Sequence, residues 1–127
     1  MNLPIALFVD DERFPPSDGK NWHIVRSSQE ALTFCKHHGV PSYMSLDHDL
    51  GLKSNGKKDD VMDFLHALIE GELDGELTFP DDFAYVVHSQ NPVGLKNIQG
   101  LLDSYLKHRQ SVVGLPQASS SFLKNKP

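Results

Sequence analysis

Three apolar runs in this chain end abruptly in ionisable side chains. Tyr43 to Leu46 closes on Asp47-His48-Asp49, Leu3 to Val9 on Asp10-Asp11-Glu12, and Phe83 to Val87 on His88-Ser89. Charge taken out of water without partners is expensive, so such groups have no place inside a buried strand. At a strand's C-terminal end, where the chain emerges into a crevice, they can bind a metal or move a proton; the plain alternative is a polar turn. Gathered together, Asp10, Asp11, Asp47 and Asp49 would concentrate negative charge that protonation or a cation must neutralise. Oxygen-only ligands suit a hard divalent ion, Mg2+ or Mn2+, with Asp10 or Asp11 plus Asp47 as the leading pair. Pairing with Arg13 or a nearby lysine is the structural alternative.

Two of the seven histidines, His48 and His88, stand at strand ends. Imidazole titrates near neutrality and is the usual general acid or base, so these two are the candidates for proton transfer, or for a metal ligand. His37, His38 and His108 fall near helix C-termini, where a cation is mildly favoured. His88-Ser89-Gln90-Asn91-Pro92-Val93-Gly94 runs from a strand end into a helix start. Free amides there bind anions; Ser89 adds a hydroxyl, Asn91 caps, and Gly94 leaves room for close approach. The spacing is not that of a Walker motif, and a well-capped helix is the simpler alternative. Arg13 could clamp a phosphate bidentately or form a plain salt bridge. Trp22 belongs to the core or stacks on a base.

These groups need elements to hold them. Leu3–Val9, Trp22–Val25, Tyr43–Leu46 and Phe83–Val87 read as strands, and Val112-Val113 as a short fifth. Ser27 with Glu30 forms a capping box for a helix whose face is Ala31, Phe34, Cys35 and His38, ended by Gly39 and Pro41. Asp60 caps a second helix with the stripe Val61, Phe64, Leu65, Leu68 and Ile69. Asn91-Pro92 starts a third, with Leu95, Ile98, Leu102, Tyr105 and Leu106 on its buried side. A short extended piece is expected at Leu77 to Phe79, and a polar loop, permitting a lid, from Lys53 to Lys58. Alternating strands and helices predict an α/β fold with a parallel sheet. The expected architecture is a flavodoxin-like three-layer sandwich of four to five strands in the order 2-1-3-4-5. In that order the ends of strands one and three meet at the switch point. Residues 1–115 form one domain and 116–127 a tail.

The chain has 127 residues and a formal net charge of −5. That balance argues against general binding to duplex nucleic acid or to a membrane surface, but not against a small phosphate-bearing substrate. Cys35 is the single cysteine, which fits a reducing cytoplasm. The first apolar run is broken by Pro4 and closes on acids, unlike a signal peptide. No run approaches the ~20 apolar residues a membrane span requires. Nothing here fixes the oligomeric state.

Two resemblances follow. Acids after strand one, Asp47 after strand three and Ser89 after strand four resemble the Mg2+-binding, aspartyl-phosphate pocket of response-regulator receivers. No lysine closes a fifth strand, and His48-Asp49 is a departure. More extensively, four segments resemble the cyclic-phosphate-processing receiver domains: Phe8 to Pro16, Val25-Arg26 with Glu30-Ala31, Ser45 to Gly51, and His88 to Gly94 with Asn97. This resemblance spans roughly residues 3 to 108. It implies a receiver-like fold and a metal-assisted activity on cyclic phosphates, such as 2′,3′-cyclic phosphate RNA ends or cyclic nucleotides, in an RNA-repair setting. Short members of this kind also fit phage proteins, working in the host cytoplasm.

The expectation is therefore a metal-dependent phosphoesterase. Asp10, Asp11, Asp47 and Asp49 hold the cation, His48 and His88 trade protons with Asp47 beside them, and Arg13, Ser89, Asn91 and Gly94 receive the phosphate. Two other readings compete: a receiver that accepts phosphate on Asp47, and a module that binds a nucleotide or a protein without chemistry.

Overall fold

A computed structural model describes residues 3–111. The chain runs β1 (Ile5–Val9), β2 (Asn21–Val25), α1 (Ser28–His38), β3 (Tyr43–Leu46), β4 (Asp49–Leu52), β5 (Lys58–Asp60), α2 (Val61–Leu73), β6 (Ala84–Val87) and α3 (Pro92–Ser111). Four strands form a parallel sheet in the order β2-β1-β3-β6. This is the expected flavodoxin-like α/β arrangement, with β6 in the place of the fourth strand. The expected fifth strand at Val112-Val113 and the tail lie outside the described residues.

Side chains alternate across a strand, and the apolar cluster that joins sheet to helices draws on one face. Leu7, Val9, Val25, Met44 and Leu46 pack there with Ala31, Phe34 and Cys35 of α1, the whole α2 stripe, and Ile98, Leu102 and Tyr105 of α3. Among the described residues the helices join this face alone, so two of the three expected layers are present there. Ala6, Phe8, Trp22, Ile24, Tyr43 and Ser45 take the other face, and Phe8 and Ser45 are register partners.

The caps are those the sequence predicts. Ser27 Oγ accepts from Glu30 N at 3.0 Å, and Glu30 reaches back to Arg26 N at 2.6 Å. Asp60 accepts from Met62 N at 2.9 Å. Gly39 ends α1 at φ 84°, a left-handed conformation that suits glycine. On α1, His38 is exposed and stacks on Phe34 instead of joining the core.

Two segments differ from expectation. Leu77 to Phe79 forms no strand; Phe79 is a buried plug against Phe83 and Tyr105. The polar loop from Lys53 to Lys58 belongs to an antiparallel hairpin, β4–β5, whose strands were not expected. Lys53 N donates to Lys57 O at 2.7 Å, and the Lys53 ammonium meets Asp63 at 2.6 Å. The hairpin is bolted to α1 by Asp59, a buried carboxylate that accepts from Ser28 N at 2.9 Å and from its hydroxyl at 2.5 Å. Leu50 anchors it in the core. No described helix is long and apolar enough to cross a membrane.

Candidate metal and phosphate site

The parallel ladder carries on for one residue past each of three strands. Asp10 N donates to Val25 O at 3.1 Å, Asp47 N to Val9 O at 2.9 Å, and His88 N to Leu46 O at 2.9 Å. The backbone of each candidate residue is thus pinned to a neighbouring strand, which is why residues far apart in sequence converge.

Asp10 is fully buried. Its Oδ1 accepts from Glu12 N at 2.9 Å and Arg13 N at 2.8 Å, which turns the chain out of β1. Its Oδ2 faces His88 Nε2 at 2.9 Å. Burial by itself raises an acid's pKa, but here the Arg13 and Glu12 amides and His88 outweigh it, and Asp10 titrates below the usual carboxylate value. Asp47 shifts the opposite way. Burial, then the charge on Asp10, push it up, while His88, the Ser89 hydroxyl and the His48 amide only partly offset them. Ligand oxygens of Asp10, Asp11 and Asp47 lie within 4.8 Å of one another. Three convergent carboxylates, one of them buried and one resisting ionisation, form an oxygen donor set that fits a hard divalent cation. Gly51 of the hairpin lets the backbone approach Asp11; a Cβ there would lie 3.2 Å from Asp11 Oδ2.

The remaining expected residues divide. Asp49 stands outside the three-carboxylate group: its Oδ1 is 2.9 Å from His48 Nδ1, and its Oδ2 accepts from Asn91 Nδ2 at 3.2 Å. These bonds, His48's first, hold the Asp49 carboxyl below its usual value. His48 turns toward α3, where a Cβ on Gly94 would lie 2.5 Å from its Cγ. Gly94 therefore makes room for an imidazole where the sequence suggested room for phosphate. Asn91 caps α3 as expected, and its side chain itself occupies the amides of Val93 and Gly94 at 3.1 and 3.0 Å. The Ser89 hydroxyl accepts from Asn91 N at 3.1 Å and helps hold the charge on Asp47. Arg13 is exposed and donates to His88 O at 3.3 Å.

Two participants were not singled out from sequence. Ser45 Oγ lies 2.7 Å from His88 Nδ1, and the His88 ring stacks on Phe8 at 4.6 Å. The available signal was a hydroxyl inside the apolar run Tyr43 to Leu46, because a buried hydroxyl needs a partner. Arg26 donates to Asp10 O at 3.1 Å and Arg13 O at 2.5 Å, bracing the turn after β1.

Comparison with curated proteins and with solved structures gave no match. A family model described as the cyclic-phosphate processing receiver domain matches residues 5–104, which takes in every element from β1 through most of α3. With its parallel sheet and its acids at the ends of β1 and β3, the chain belongs to the cyclic-phosphate processing receiver domain family.

Proposed function

We propose that this protein is a metal-dependent phosphoesterase that opens cyclic phosphates such as 2′,3′-cyclic phosphate RNA ends or cyclic nucleotides. The observation that carries the reading is the convergence of Asp10, Asp11 and Asp47 within 4.8 Å. These three hold Mg2+ or Mn2+, which when bound supplies charge neutralisation, polarisation of a phosphoryl oxygen and activation of water. Asp49 serves as the partner of His48 in place of a fourth ligand.

The chain's own groups do the rest. The Asp49 carboxylate accepts from His48 Nδ1, which leaves the lone pair on Nε2 to take or return a proton. His88, held between Asp10 and Ser45, orients Asp10. Arg13 meets phosphate oxygens with the donors it does not spend on His88 O, and Ser89 adds its hydroxyl beside Asp47. The substrate is a small phosphate-bearing molecule, a nucleotide or an RNA end.

The test is hydrolysis of nucleoside 2′,3′-cyclic phosphates and a generic phosphodiester with Mg2+, with Mn2+ and with chelator. Turnover that needs the metal and disappears in Asp47→Asn supports the reading; full activity in Asp47→Asn overturns it. A second reading draws on the influence of the Ser89 hydroxyl on Asp47: Asp47 accepts a phosphoryl group, as in signalling receivers. Covalent labelling by a small phosphodonor, absent in Asp47→Asn, would favour it.

A further inference from the structure

Phe14 follows directly on the acidic turn and is 75 % exposed. A lone exposed apolar side chain needs no explanation; this one is held in place. The Arg26 guanidinium lies over its ring, with Cζ 4.9 Å from the centroid. The same guanidinium is tied to Asp10 O and Arg13 O. One guanidinium therefore separates the ring from the backbone of a carboxylate in the cation group. Pro15 and Pro16 follow at once and stiffen the turn behind it. Phe14 thus presents an aromatic face whose ordering cost is met before any ligand arrives. Arg13, immediately before it in the chain, is also exposed.

We propose that Phe14, backed by Arg26, is a stacking shelf for the base of a nucleotide whose phosphate lies at Arg13 and the Asp10, Asp11 and Asp47 group. The proposal rests on reading those residues as a phosphate-handling site, and it assigns the base of that ligand a place on the protein. A flat aromatic face supplies no hydrogen-bond pattern, so the shelf accepts any base.

The test compares binding of adenosine 5′-monophosphate and ribose 5-phosphate to the full chain by calorimetry, with Mg2+ present. The wild type binds the nucleotide roughly 5- to 150-fold more tightly, the equivalent of about 1–3 kcal/mol of base–aromatic stacking. Phe14→Ala abolishes that preference and Phe14→Trp keeps it. Because Phe14 is exposed, neither variant disturbs the core, which circular dichroism checks. Equal affinity for the two ligands in the wild type, binding of neither, or a preference that survives Phe14→Ala overturns the shelf. Absence of turnover with the preference intact overturns the phosphoesterase reading and leaves the shelf standing.

Discussion

His88 Nε2 lies 2.9 Å from Asp10 Oδ2 across the mouth of the sheet. Asp10 titrates below its usual value and is an ionised acceptor at neutral pH, so the ring proton belongs on Nε2. Nδ1 then receives the Ser45 hydroxyl at 2.7 Å. Both ring nitrogens are engaged, which suits His88 to positioning a carboxylate.

His88→Ala should therefore weaken Mn2+ binding by roughly 10- to 100-fold, the usual effect of removing a group that orients a ligand. His88→Gln, which can still donate to Asp10, should recover part of the loss. Titration of Mn2+ by electron paramagnetic resonance measures both. Unchanged affinity in His88→Ala would detach the histidine from the cation site.

Asp47→Asn should stabilise the metal-free protein while removing cation binding. Burial and the Asp10 charge raise the Asp47 carboxyl, so the native state binds its proton more readily than the unfolded chain does. Stability attributable to Asp47 accordingly falls as pH rises from its ordinary value through its raised one. The gain in Asp47→Asn should vanish in acid and be present in full at neutral pH, as a higher melting temperature. Thermal melts in chelator at several pH values test the sign.

Gly94→Ala should cost about 1–3 kcal/mol, because the new methyl would lie 2.5 Å from His48 Cγ and the ring is held by Asp49. In a His48→Gly background, which also removes the His48 Cβ that would lie 2.6 Å away, the same change should become neutral or stabilising, since alanine is the better helix former. A double-mutant cycle in urea reads the coupling; additive costs would show that the ring is free to move aside.

Asp59→Ala should cost about 2–3 kcal/mol, as the buried carboxylate holds both the amide and the hydroxyl of Ser28. Hydrogen exchange should rise at the start of α1 and across β4–β5 before it rises in β1. Exchange that changes evenly over the whole domain would mean that the hairpin is not a separate unit held by this residue.

The local parts of this protein were legible in the chain itself. The α2 stripe is buried at all five positions the period predicts, and β3 has the bounds of its apolar run. Ser27, Asp60 and Asn91 cap as their side-chain chemistry requires. Each depends on neighbours within four residues or so. The acids at strand ends were visible for the same reason, and the order 2-1-3 was enough to bring Asp10 and Asp47 together.

Tertiary structure decided the rest. β4 and β5 are strands of only four and three residues, so their pairing carries little signal in either segment alone. That pairing carries Asp49 out of the carboxylate group toward His48 and Asn91. Gly94 looked like space for a ligand because a sequence shows a missing side chain but not what fills the gap. Ser45 and His88 are 43 positions apart and meet only because β3 and β6 are neighbours in register. Hydrogen bonds of that kind are fixed by sheet pairing and side-chain direction, which are properties of the packed fold and not of any window of the chain.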